Sequence, residues 1–153
     1  MNHPQAPAAN RDPPAFIGTL LQHPLTLFLA RAMLCAPFIA GGLAKLLHWR
    51  AGIDEMAHFG LHPAWAFNAA VLGLQLVGSA LILLNRHVWL AAGALAVFTM
   101  LATLVAHRFW SYPAPERFMQ MNTFLEHVAI CAAFILVTVV DLRRRRDRGP
   151  VTI

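Results

Sequence analysis

Long apolar runs alternate with short stretches where polar residues gather. The runs cover about 24–47, 64–84, 87–106 and 121–140. About 20 helical residues rise about 30 Å, the thickness of the hydrocarbon core of a bilayer. The runs are continuous and show no period of two, which argues against strands. A helix packed in water needs a polar face. From Trp89 to Ala106 the only polar side chains are Thr99 and Thr103. The pattern predicts an all-α membrane protein, a bundle of four transmembrane helices.

The segments between the runs have patterns of their own. In 49–63, Ile53, Met56, Phe59 and Leu61 lie among Asp54, Glu55 and His58. This suits a short helix in the membrane interface, ended by Gly60 and Pro63. In 107–120, Trp110 and Tyr112 suit headgroup depth, where amphipathic rings are favoured. Residues 16–21 predict an interfacial turn. Residues 1–15, polar and rich in Pro and Ala, read as a disordered leader. They lack the basic region, apolar core and cleavage site of a signal peptide. The predicted organisation is leader, membrane domain over 16–142 and basic tail over 143–153.

Composition agrees with lipid as the solvent: 58% of residues are hydrophobic and only 12% charged, where soluble domains carry about 25%. The net charge is +5, and its placement is informative. Arg143, Arg144, Arg145, Arg146 and Arg148 directly follow an apolar run. That position points to a membrane anchor against anionic headgroups, and not to nucleic acid. Four spans put both termini on one side, and the tail arginines make that side cytoplasmic. Arg86 then lies inside, while Arg50, Arg108 and Arg117 lie outside and reduce the bias.

The candidate chemistry lies in ionisable groups at membrane depth, where a charge at the helix centre costs about 2.5–3.5 kcal/mol. Arg31 lies about two turns into the first span, with Gln75 as its nearest partner by depth. Lys45, Asn68, His107 and Glu126 all fall in the outer half. Asn122 and Glu126 share one face of the fourth span, and His127 follows. Together these residues predict a polar pocket for a quinone headgroup, a small thiol or a proton. The competing reading is an ion pair that locks helix register. Arg31 and Glu126 are expected about 10 Å or more apart along the membrane normal. Gly41, Gly42, Gly73, Gly78, Ala129, Ala132 and Ala133 are candidates for close helix approach. Cys35 and Cys131 form no paired motif and read as inert thiols in apolar surroundings. His48, His58 and His62 read as interfacial decoration, so no metal site is expected.

The residues resemble the DoxX family of small four-helix membrane proteins. The matching features begin with Arg31, Gly41-Gly42-x-x-Lys45-Leu46, and Met56-x-x-x-Gly60 ending in Pro63. Gln75-x-x-Gly78, His107-Arg108-Phe109-Trp110, and Met121-Asn122-x-Phe124-Leu125-x-His127-x-Ala129-Ile130 complete them. The resemblance spans about 24–141. It implies a multi-pass protein of the bacterial cytoplasmic membrane. Some members are subunits of thiosulfate:quinone oxidoreductase, and others are linked to thiol and oxidative-stress systems. Quinone is therefore the cofactor the resemblance implies, with a soluble or membrane-bound redox partner. Two departures stand out. Glu126-His127 replaces a common Lys-Asn, and Ala132-Ala133 replaces glycines. An adaptor that recruits a soluble partner through the tail is the alternative. A small-solute transporter ranks below both, since unbroken helices without a repeat offer little alternating-access machinery.

Overall fold

The computed structural model describes residues 13–147 and Gly149. The expected leader, up to residue 12, and the last tail residues lie outside them. The described chain forms α1 (Ala15–Gln22), α2 (Pro24–Leu47), α3 (Trp49–His58), α4 (Ala64–Leu83), α5 (Val88–Ala106), a 3-10 turn (Phe109–Ser111) and α6 (Glu116–Asp147). Of these, α2, α4, α5 and α6 are long and apolar enough to cross a membrane.

Local chemistry sets the helix ends. Pro24 opens α2, where its missing N–H costs nothing, and the His23 side chain accepts from the Leu25 N–H. Gly60, at φ +72°, ends α3 in a left-handed conformation that glycine adopts without strain. Asn85 and His87 also have positive φ, at 57° and 48°, and turn the chain tightly from α4 into α5. The expected 16–21 turn is the short helix α1. The fourth span was expected to stop near 140, but α6 continues through the first tail arginines to Asp147.

The four long helices form a closed ring: α2 packs on α4, α4 on α5, α5 on α6, and α6 on α2. Leu29, Met33, Val97, Ile135 and Leu136 point outward. Buried inside are Asn68, Gln75, Ser79, Thr99, Thr103 and Asp141, with a small apolar core around Cys35, Phe38, Ile82, Leu95 and Phe134. An apolar exterior over a partly polar interior suits lipid, where helix association relies on close packing and hydrogen bonds. Lipid contact is thus a property of the fold.

Gly41, Gly42 and Gly78 meet neighbouring helices. A Cβ at Gly42 would lie 2.7 Å from Leu76 Cδ2, and one at Gly78 would lie 3.1 Å from Leu95 Cγ. Gly73 faces open space, contrary to expectation. The alanine expectation shifts as well: Ala129 and Ala132 are exposed, and α5 supplies the buried Ala91 and Ala92. Helix α3 does more than lie in the interface. Its Gly52 and Met56 are buried, and Gly52 presses on Asn68 of α4.

Candidate functional site

Where α2 begins and α6 finishes (the near end of the bundle), charged residues converge on one carboxylate. Asp141 is 3% exposed. Arg145 Nε donates to its Oδ2 at 2.8 Å, one helical turn along α6. Arg31 Nη2 approaches Oδ1 at 3.7 Å, and Arg31 Nη1 donates to Asn85 Oδ1 at 2.8 Å. Arg145 Nη2 also donates to the Asn85 carbonyl at 3.2 Å. This corrects the expected Arg31–Gln75 match. Gly41 of α2 faces Gln75 of α4. About three turns back along α2 and three turns on along antiparallel α4, Arg31 meets Asn85. Arg31 therefore sits level with the α4–α5 turn.

At the opposite, far end, Lys45 reaches α3. Its Nζ donates to Glu55 Oε2 at 2.6 Å. The Lys45 side chain is 12% exposed and that of Glu55 46%. Beside this pair a cavity of about 380 Å³ opens between α2, α3, α4 and α5. Its walls are Met56, Phe59, Phe67, Val71, Phe98, Leu101 and Val105, and its polar groups are Lys45, Glu55 and Gln75. Gln75 makes no hydrogen bond among the described residues, and its Oε1 is buried. A buried acceptor without a partner costs about 1–3 kcal/mol, so Gln75 Oε1 is a costly group beside the cavity. Asn68, on the same helix, uses Nδ2 weakly toward the Trp49 carbonyl at 3.5 Å, and its Oδ1 is also unpartnered.

A separate polar chain lies between α5 and α6. Thr103 Oγ1 donates its only proton to the Thr99 carbonyl at 2.6 Å. The same hydroxyl lies 2.7 Å from His127 Nδ1, in a hydrogen bond whose direction follows the imidazole tautomer. His107 Nδ1 donates to Gln120 Oε1 at 2.8 Å. The two imidazoles meet edge to face, with centroids 5.1 Å apart. Glu126 and Asn122 are exposed and make no hydrogen bond or ion pair among the described residues.

The expected single pocket thus divides in two. Lys45 and Gln75 share the α2–α5 cavity. His107 and His127 share the α5–α6 chain. Asn68 lies under α3, while Asn122 and Glu126 take part in neither site. Lys45 pairs with Glu55 because α3 folds straight back after α2, bringing a nearer carboxylate than Glu126.

One comparison bears on this arrangement. The DoxX family model matches residues 26–108, more than half of the chain. The chain belongs to the DoxX family. No curated protein and no solved structure matches it. In DoxX terms, the matched residues take in α2 to α5, and with them Arg31, Lys45, Glu55, Gln75 and His107. Helix α6, with its departures at Glu126-His127 and Ala132-Ala133, lies beyond the match. This DoxX protein is a multi-pass membrane protein.

Sequence reasoning missed Asp141 and Glu55. Asp141 lies just past the fourth apolar run, and its i, i+4 spacing to Arg145 is the usable sign of pairing. The pattern of 49–63 puts Glu55 on a short interfacial helix, with nothing to bring it to Lys45. Cys35 is buried, while Cys131 Sγ lies 3.5 Å from the Ala96 carbonyl across to α5. Both thiols are unpaired with each other. Among the described residues, no three His, Cys, Asp or Glu side chains converge to hold a metal.

Proposed function

We propose that the α2–α5 cavity binds the headgroup of a membrane quinone, and that the protein works as the quinone-holding membrane subunit of a redox system in the bacterial cytoplasmic membrane. The observation that carries this reading is the unpartnered Gln75 amide in a largely apolar cavity. Lys45 lies one turn beyond Gly41, and Gly41 faces Gln75. The two polar groups are therefore offset by about 6 Å along the bundle, of the order of the spacing between the two oxygens of a para-quinone. Lys45 Nζ keeps two of its three protons after bonding Glu55, and one can donate to a quinone oxygen. Gln75 can donate to the other through Nε2. When the amide turns to bring Oε1 to the cavity, a hydroxyl of the reduced quinol can donate to it. The aromatic and aliphatic walls suit the ring and its isoprenoid tail.

The near end, with its arginines, takes the cytoplasmic side in this reading, as positive-inside bias favours. Arg143 and Arg146, both exposed on α6, are where a soluble redox partner or an adaptor client would dock.

Heat protection tests the proposal. A short-chain ubiquinone analogue should raise the unfolding temperature of the detergent-purified protein, and quinone should copurify with it. Gln75→Leu and Lys45→Met should abolish the protection, while Glu126→Gln should keep it. Full protection in Gln75→Leu would remove the basis for this site.

A further inference from the structure

The near end carries more positive charge than its fold uses. Arg31, Arg144 and Arg145 line one cavity of about 170 Å³ with a single carboxylate, Asp141. Three positive charges against one leave a surplus of two. Arg145 and Arg31 are held by Asp141 and Asn85. Arg144 is only partly exposed, and among the described residues it makes no hydrogen bond or ion pair.

The cavity also has a direction. Asp141, Arg144 and Arg145 share one face of α6 by i, i+3, i+4 spacing. Pro24, Leu27, Phe28 and Arg31 share one face of α2, running from its first turn inward. Apolar side chains therefore adjoin the guanidinium groups along the same groove. The first turn of α2, with its partly positive helix end, borders it as well. The site combines donors for phosphate oxygens with a surface for the start of an acyl chain.

We infer that this groove binds the phosphate headgroup of an anionic phospholipid, with Arg144 as its main free donor and Arg31 as the second. Guanidinium forks match phosphate oxygens in geometry and charge. A basic pocket between transmembrane helices is a known form of lipid recognition. A free phosphate would satisfy the arginines but would leave Leu27 and Phe28 uncovered. The lipid is therefore the occupant the groove fits. The bound headgroup would tie α2 to α6 beside the Asp141 cluster.

Native mass spectrometry of the detergent-released protein tests this. Phosphatidylglycerol and phosphatidylcholine are titrated separately, and phosphatidylglycerol is titrated again in the presence of inorganic phosphate. Phosphatidylglycerol should bind at one saturable site and more tightly than phosphatidylcholine. Inorganic phosphate should not compete at matched concentration. Arg144→Gln should weaken phosphatidylglycerol binding about five-fold, the size expected for one basic residue near a lipid headgroup. Arg143→Gln, which changes an exposed arginine outside the groove, should leave it unchanged. Equal losses in the two variants would mean diffuse attraction by the tail and would overturn the assignment. So would competition by inorganic phosphate, or binding that ignores Arg144→Gln.

Discussion

Asp141 is a carboxylate almost fully removed from solvent between Arg31 and Arg145, and its contribution should exceed that of any surface charge. Breaking a buried ion pair from one side costs about 3–5 kcal/mol, and here the cost comes from Arg31, whose side chain is 11% exposed and would lose its carboxylate, while Arg145, 53% exposed, can turn to solvent. Asp141→Ala should therefore lower thermal stability strongly in detergent. Glu126→Gln should change it by less than about 0.5 kcal/mol, as exposed substitutions usually do. Equal and small effects would mean that the cluster is not buried in the membrane-embedded protein. The presence of costly charges was legible in the sequence: Arg31 and Lys45 stand out within apolar runs. Their partners were not. Depth matching compares positions along straight helices, and both partners came from places it does not reach, Glu55 on the folded-back α3 and Asp141 on the extension of α6.

At the level of elements, close packing makes predictions that glycine content alone does not. A Cβ at Gly52 would run into Asn68 Oδ1, and Asn68 is fully buried. Gly52→Ala should therefore push α3 off α4 and cost about 1–3 kcal/mol through overpacking. Gly73→Ala, on the same α4 but facing open space, should be neutral or up to about 1 kcal/mol stabilising through helix propensity. Thermal unfolding of both variants separates the two cases, and a harmless Gly52→Ala would show that α3 is undocked. The number and type of the spans were readable, because a run of about 20 apolar residues has few other folds available in lipid. Helix α2 runs from Pro24 to Leu47, opened by the proline that the first apolar run begins on. The end of α6 could not be read, since hydropathy fades at the arginines while their helix propensity does not. The docking of α3 was hidden too, because an amphipathic segment reads alike against lipid and against protein.

For the molecule as a whole, the ring of four helices gives two polar centres at the far end that share no residue. One lies among α2, α3, α4 and α5, the other between α5 and α6. The proposed division of labour is that the first binds ligand and the second ties α5 to α6. Orientation is independently testable. In a background with Cys35 and Cys131 replaced, Arg86→Cys should react with a membrane-impermeant maleimide only when the cytoplasmic face is open. Glu116→Cys should react only from the other face. The reverse pattern would invert the bundle and put the arginine-rich end outside.

Photolabelling is the most direct examination of the proposed ligand site. The protein in lipid nanodiscs would be irradiated with an azido-quinone, digested and mapped by mass spectrometry. The account predicts label on Met56, Phe59, Phe67 and Val105, diminished by excess unmodified quinone and by Gln75→Leu. Label spread evenly over outward-facing residues such as Met33 and Ile135, or concentrated at the His107–His127 pair, would contradict it.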